Sequence, residues 1–161
     1  MRWELASTTS EHETYHLYKG DKKQMTLILH AFSHASRLEF ENEKRIFLIR
    51  KEGLRKNRTV IRNEYGIKIG ELGQENGEDF ITVNDERYFY LAQEEPRSQL
   101  VLYRDSRENP IMICALNISE GKNSLKLNNK NGGPVHPELL MGLCWYLFLS
   151  VPKEAELGLA G

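Results

Sequence analysis

One apolar segment near the end of the chain constrains the fold more than any other feature. Residues 136–152 read HPELLMGLCWYLFLSVP, and the thirteen residues from Leu139 to Val151 carry no charge. A transmembrane helix needs about 20 apolar residues, at about 1.5 Å rise each, to cross a hydrocarbon core of about 30 Å. Thirteen residues reach only about 20 Å. We therefore expect no transmembrane span.

The same segment has the pattern of a helix that is buried on every side. Pro137 suits the first helical position, and Glu138 suits the positively polarised first turn. His136 is expected to be the N-cap, and Pro152 is expected to end the helix, which predicts a helix over about 137–151. Its apolar residues occupy every face, whereas a helix lying on a sheet would keep a polar stripe. Other elements must therefore surround it.

The rest of the chain reads as short β-strands separated by turns. β-Branched and aromatic residues alternate with polar ones over short runs, which then give way to Gly, Asn, Asp or Pro. The predicted strands are 2–7, 14–18, 24–32, 36–41, 45–52, 58–63, 67–72, 80–84, 87–93, 99–104, 111–117 and 124–127. Short connections such as 19–22 and 84–85 suit hairpins, so neighbouring strands are expected to be antiparallel.

A single apolar helix together with about twelve strands suggests a barrel. Closure of the sheet around the helix would cover the apolar surface and remove the exposed sheet edges. We therefore predict a mostly-β protein, with a closed antiparallel barrel of about twelve strands around the C-terminal hydrophobic helix, in one domain over 1–161. A helix that fills the barrel disfavours an internal ligand site, so function is expected on the outer surface.

Charge is distributed unevenly along the chain. The 22 Lys and Arg against 23 Asp and Glu give a net charge of −1, which argues against a nucleic-acid binder. The stretch from Lys44 to Arg62 nevertheless holds eight bases and one acid, Glu52, whereas the rest of the chain holds 14 bases and 22 acids. The candidate anion-binding residues in this stretch are Arg50, Lys51, Arg55, Lys56 and Arg58.

These five bases surround a predicted hairpin tip in the sequence KEGLRKNR. Arginine side chains can bind a phosphate group through two parallel hydrogen bonds, so a lipid headgroup or another phosphate ligand would suit the tip. The alternative is a hairpin whose charges serve only to keep it solvated.

No motif for catalysis or metal binding stands out. His12 and His16, like His30 and His34, are four residues apart, which on a strand is about 13 Å and too far for one ion. The chain contains no GxSxG and no HExxH sequence. We therefore expect a protein that is not an enzyme and that uses no metal or cofactor.

The cysteines and the N-terminus bear on localisation. Cys114 and Cys144 each lie in an apolar run, which favours free buried thiols and a reducing, cytoplasmic setting. The first residues, MRWELASTTSEHETYHLY, lack the basic and apolar regions of a secretory signal.

The stretch RIFLIRKEGLRKNRTVIRNEYGIKIGEL at 45–72 combines a strand, a basic turn, a second strand and a G-x-x-I-G sequence. This order resembles the tubby-like superfamily, which comprises the tubby C-terminal domain, the phospholipid scramblases and the plant LURP-one-related proteins. The resemblance implies a twelve-stranded barrel around a C-terminal apolar helix, and a protein that binds anionic lipid or a protein partner. The chain lacks the cysteine-rich palmitoylation stretch and the acidic calcium loop of scramblases, so the resemblance does not imply calcium-driven scrambling.

Three functions follow from these observations. The leading hypothesis is a non-enzymatic binding module, cytoplasmic and peripheral to the membrane, that contacts anionic phospholipid headgroups through the basic hairpin. The first alternative is an assembly or protein-interaction domain that binds a protein partner or forms a homo-oligomer. A less favoured alternative is a small-molecule carrier or barrel enzyme that uses His30, His34 or tyrosines and requires an open pocket.

Overall fold

Twelve strands followed by a helix make up the described part of the chain. The computed structural model describes residues 2–31, 35–42, 45–55, 58–93, 99–117, 122–127 and 137–159. The elements are β1 (Arg2–Thr8), β2 (His12–Lys19), β3 (Lys22–His30), β4 (Ala35–Phe40), β5 (Ile46–Glu52), β6 (Arg58–Asn63), β7 (Lys68–Glu75), β8 (Glu78–Val83), β9 (Glu86–Gln93), β10 (Gln99–Tyr103), β11 (Met112–Asn117), β12 (Lys122–Leu127) and α1 (Pro137–Leu159). Each predicted strand overlaps one of these strands. The predicted N-cap His136 lies outside the described residues.

The strands form one antiparallel sheet in which each strand pairs with its neighbours in sequence, in the order β1 to β12. Tight turns make this order possible. In the β8–β9 turn, for example, Asn84 and Asp85 adopt φ angles of 48° and 66°. Two consecutive positive φ angles are typical of the hairpin turns whose twist matches that of the strands they join.

The predicted closed barrel is wrong. The sheet has two edge strands, β1 and β12, and no ladder joins them among the described residues. The two strands approach each other without pairing, because the sheet is curved. Alternation of apolar and polar residues specifies which face of a strand is buried, whereas closure also requires a strand tilt and a register that bring the first strand onto the last. The sequence pattern does not encode that register.

The curved sheet contacts α1 from several sides. Trp3 on β1 packs against Trp145, with ring centroids 5.4 Å apart. On the opposite half of the sheet, Cys144 donates a hydrogen bond to the thioether of Met112 on β11, with 3.7 Å between the sulfur atoms. Strands at or next to both edges of the sheet therefore contact one helix, which lies in the core.

The residues of α1 from Leu139 to Leu147 are buried on all faces of the helix, as the sequence predicts. Leu143 is 0% exposed, Trp145 is 1% exposed and Leu147 is 4% exposed. Gly142 allows the closest approach of the sheet, because a Cβ atom there would lie 2.9 Å from side-chain atoms of Leu38 and Met25. Glycine therefore replaces a side chain at a position where the helix packs closely against strands β3 and β4.

The helix continues beyond its predicted end at Pro152 and reaches Leu159. A proline inside a helix lacks one backbone donor and costs about 3 kcal/mol. The residues that follow it, KEAEL, all favour helix. Their propensity and the anchored first half of α1 offset the loss of one hydrogen bond, so the proline does not end the helix.

The G-x-x-I-G sequence has a structural reason at each glycine. Gly66 adopts a φ angle of 77° in the β6–β7 turn, a left-handed conformation that glycine adopts without steric cost. Gly70 lies where β7 and β8 approach each other, and a Cβ atom there would lie 2.1 Å from the carbonyl oxygen of Thr82. The conformation of the turn thus explains Gly66, and the packing of the strands explains Gly70.

We expect Leu143→Ala to lower the free energy of unfolding by about 2–5 kcal/mol, because it leaves a cavity in the core. Leu54→Ala makes the same chemical change at a side chain that is fully exposed. It should change stability by less than about 0.5 kcal/mol. Urea unfolding followed by circular dichroism measures both. Equal effects of the two changes would contradict the assignment of α1 to the core.

We expect Gly70→Ala to destabilise the protein by about 1–3 kcal/mol, because the new methyl group forces β7 away from β8. The control is Gly66→Asn, at a position with open space around it. Asparagine tolerates the left-handed conformation, so this change should cost less than about 1 kcal/mol. Thermal unfolding of the two variants compares them, and a stable Gly70→Ala protein would refute the close approach.

Candidate functional site

The predicted basic hairpin consists of β5, β6 and the turn between them. Arg50 lies opposite Val60, Lys51 opposite Thr59 and Glu52 opposite Arg58. Gly53 follows β5 with a φ angle of 96°, a conformation that β-branched and bulky residues avoid, and so begins the turn. The hairpin thus carries its charged residues to one end of the sheet.

The alternation of β5 separates the predicted site residues. Phe47 and Ile49 are buried, so Lys51 shares their inner face, whereas Arg50 points outward. Glu52 is two residues from Arg50 on β5 and so shares its outer face. Arg58 is directly opposite Glu52, and residues directly opposite one another in a sheet share a face. Arg58 therefore also lies on the outer face. Arg55 is exposed in the turn. The predicted Lys56 lies outside the described residues, as does Lys44 at the start of the basic stretch.

The one acid of the basic stretch is already paired. The carboxylate of Glu52 accepts two hydrogen bonds from the Arg62 guanidinium, at 2.8 Å from Nε and 2.9 Å from Nη2. Hydrogen bonding to Arg62 lowers the pKa of Glu52 from its ordinary value and raises the pKa of Arg62. Arg62 therefore neutralises the acid and is not available for an external anion.

The remaining arginines differ in how strongly they are paired. Arg58 is 3.9 Å from Glu71, whose carboxylate is held more closely by Lys68 at 2.7 Å. The hydrogen bond from Lys68 lowers the pKa of Glu71. Arg50 and Arg55 form no ion pair with any described residue. Among the described residues, an incoming anion would therefore meet Arg50 and Arg55 without having to break an ion pair.

Leu54 lies between Gly53 and Arg55 in the turn and is the most exposed large apolar residue described, at 108% of its reference area. Leu54 was not among the site residues predicted from the sequence. Leu54 could nevertheless be noticed in the sequence, because a leucine at a position where turns favour Gly, Asn or Asp has no obvious role in the turn. The turn, residues Gly53 to Arg55, is called the basic tip below.

The histidines form no metal site among the residues that the structure describes. His12 and His30 are directly opposite each other on β2 and β3, with ring centroids 6.0 Å apart. The sequence spacing had paired them with His16 and His34 instead. His34 lies outside the described residues. Two neighbouring imidazoles are fewer than the ligands that a protein zinc site usually has.

A pocket opens at the end of the sheet opposite the basic tip, beside the first turn of α1. Its lining includes the buried Met25 and Phe47 and the exposed Lys19 and Glu138. Phe47 lies near the start of β5 and the basic tip follows its end. None of the described residues that line the pocket is a histidine or a tyrosine, so it is not the site that the carrier hypothesis predicts.

Comparison with known proteins gives no relative. No family model, curated protein or solved structure matches the chain. The resemblance to the tubby-like superfamily therefore stays a prediction. Within the described residues, no helix has both the length and the apolar character needed to cross a membrane.

We expect Arg62→Met to raise the pKa of Glu52 towards its ordinary value, because the carboxylate loses its strongest hydrogen-bond donor. A lowered pKa contributes stability that is present above the unfolded-state value and is lost as the pH falls through the folded-state value. The contribution of Glu52 to acid denaturation should therefore shrink in the variant.

A carbon-detected NMR titration of the glutamate carboxyl groups measures this pKa. The matched control is Arg107→Met. It removes an arginine that donates a hydrogen bond to the Glu78 carboxylate, with 3.0 Å between Nη2 and Oε1. That change should raise the pKa of Glu78 and leave the pKa of Glu52 unchanged. An unaltered Glu52 in Arg62→Met would show that another group holds the carboxylate ionised.

Proposed function

We propose that this protein is a non-enzymatic module that binds anionic membrane surfaces through the basic tip and the neighbouring Arg50 and Arg58. The exposure of Leu54 carries the proposal. A soluble anion such as phosphate has no apolar group to contact a leucine at the centre of its site. A bilayer, in contrast, presents phosphate oxygens and the boundary of the acyl chains a few ångströms apart. Leu54 and its flanking arginines match this combination.

The charges support the same orientation. Each Lys or Arg near an anionic surface contributes about 1 kcal/mol, and the contribution falls off within a Debye length of about 8 Å at physiological salt. The rest of the chain holds more acids than bases. An anionic membrane would therefore attract the tip and repel most of the remaining surface. The protein would approach with the hairpin end first.

The described residues of the hairpin need no rearrangement to bind in this way. Arg50 and Arg55 have no described partner to release, and Arg62 keeps Glu52 neutralised by two hydrogen bonds. The side chain of Arg58 is 68% exposed, and its distance of 3.9 Å from Glu71 allows it to turn outward at little cost. The free-energy cost of binding is thus mainly that of ordering a few side chains.

We expect the protein to sediment with phosphatidylcholine vesicles only when they contain phosphatidylserine, and less as sodium chloride is added. Arg55→Glu should weaken this binding at least about fivefold, because it removes one cation and adds a repelled charge. The control Lys22→Glu makes the same change in charge at an exposed position of the opposite end. It should change binding less than about twofold.

Leu54→Ser distinguishes a membrane from a soluble anion. Loss of the apolar contact should weaken vesicle binding about fivefold, with no effect on binding of myo-inositol hexakisphosphate measured by calorimetry. Failure of the wild-type protein to sediment at low salt would refute the proposal. So would equal binding of wild type and Leu54→Ser to vesicles, because the tip would then bind phosphate alone.

A further inference from the structure

The only two cysteines of the chain meet in the core, although one lies on β11 and the other on α1. Cys114 and Cys144 are both 0% exposed. The Cys144 thiol donates a hydrogen bond to Met112, which is two residues from Cys114 and shares its inner face of β11. The Cys114 thiol in turn donates a hydrogen bond to Cys144. Three sulfur groups are therefore in contact where β11 packs against the helix.

The core favours uncharged chemistry at this pair. The hydrogen bond to Cys144, together with burial, raises the pKa of the Cys114 thiol well above its ordinary value. None of the described residues of the core cluster is charged, so none can stabilise a thiolate there. A soft metal ion would need thiolate ligands, whereas a disulfide is neutral. The core therefore suits a disulfide better than a metal ion.

We propose that Cys114 and Cys144 form a disulfide bond when the chain folds in the presence of a small disulfide such as oxidised glutathione, and that this bond fixes α1 to β11. The structure holds the reduced form, in which both side chains are free thiols. The bonded sulfur atoms of a disulfide are about 2.05 Å apart, so the hydrogen-bonded thiols must approach each other by about 2 Å.

The bond forms by thiol–disulfide exchange. The thiolate of one cysteine attacks a sulfur atom of oxidised glutathione, which gives a mixed disulfide and releases one glutathione thiolate. The thiolate of the other cysteine then attacks the protein sulfur of the mixed disulfide and releases the second glutathione thiolate. The protein loses two electrons and two protons, and the oxidised glutathione becomes two molecules of reduced glutathione.

Burial determines when this exchange takes place. The thiolate is the attacking species, and a glutathione molecule cannot reach a sulfur atom that is fully buried. Oxidation of the folded protein therefore has to wait until α1 separates from β11, whereas the unfolded chain presents both thiols to the solvent. The same burial protects the finished disulfide from reductants. Formation of the bond is thus coupled to folding.

The bond acts near an edge of the sheet that no ladder closes. Strand β11 is next to the edge strand β12, and no ladder joins β12 to β1 among the described residues. A covalent link from β11 to α1 fixes this part of the sheet to the helix that it packs against. The link also closes a loop of about 30 residues, which lowers the conformational entropy of the unfolded chain.

Refolding in a redox buffer tests the proposal. Reduced protein is unfolded in urea and diluted into oxidised and reduced glutathione, and iodoacetamide in urea then labels the remaining thiols. Intact-mass spectrometry should show a monomer that has lost two hydrogen atoms and carries no label, which identifies the bond because the chain has only two cysteines. The folded, reduced protein should be oxidised in the same buffer at least about tenfold more slowly.

The oxidised monomer should have a thermal unfolding midpoint at least about 5 °C above that of the same protein refolded with a reductant. The control is Cys114→Ala, which cannot form the bond. Its midpoint should be the same after refolding in either buffer, whatever the substitution itself does to stability.

Four results would overturn the proposal: both thiols stay free after refolding in the redox buffer, glutathione remains attached in place of the internal bond, the oxidised monomer unfolds no higher than the reduced one, or the folded protein is oxidised as fast as the refolding chain. Vesicle sedimentation enters none of these measurements. The disulfide and the membrane contact can therefore fail independently of each other.

Discussion

The fold depends on covering a helix that is apolar on every side. Each large apolar side chain that leaves water contributes about 1.5–3 kcal/mol, but a flat sheet covers only one side of a helix. The twelve strands solve this by curving, so that Trp3 on β1 and Met112 on β11 both contact α1. Gly142 lets strands β3 and β4 approach the helix backbone where side chains would not fit. Burial of α1 thus dictates the shape of the sheet.

The local structure could be predicted because it follows from periodicity. Alternation of apolar and polar residues marks the strands, and an apolar run with Pro137 at its start marks the helix. Two expectations failed, and both depend on energies that no local pattern contains. Closure of the sheet requires a register between β1 and β12, which are distant in sequence. The end of α1 depends on whether helix-favouring residues beyond Pro152 offset one lost hydrogen bond.

The positive charge of the candidate site could be predicted from the sequence, but its ion pairs and its exposed leucine could not. The excess of bases between Lys44 and Arg62 is visible in the sequence. The pairing of Glu52 with Arg62, ten residues away, is not, although it determines which arginines face solvent unpaired. Leu54 carries no charge and was not among the predicted site residues. The pocket could not be predicted, because β2, β3, β4, β5, β7, the β8–β9 turn and α1 all contribute to it.

We expect the basic tip and the opposite end of the sheet to act independently of each other. Coupling between two sites requires an element with two arrangements, of which one ligand prefers one. Strand β5 connects the ends, but its inner residues Phe47 and Ile49 are buried against a close-packed core. A shift of β5 along its length would move these side chains by one residue and expose apolar surface. We therefore expect a ligand bound at the basic tip to leave the opposite end of β5 unchanged.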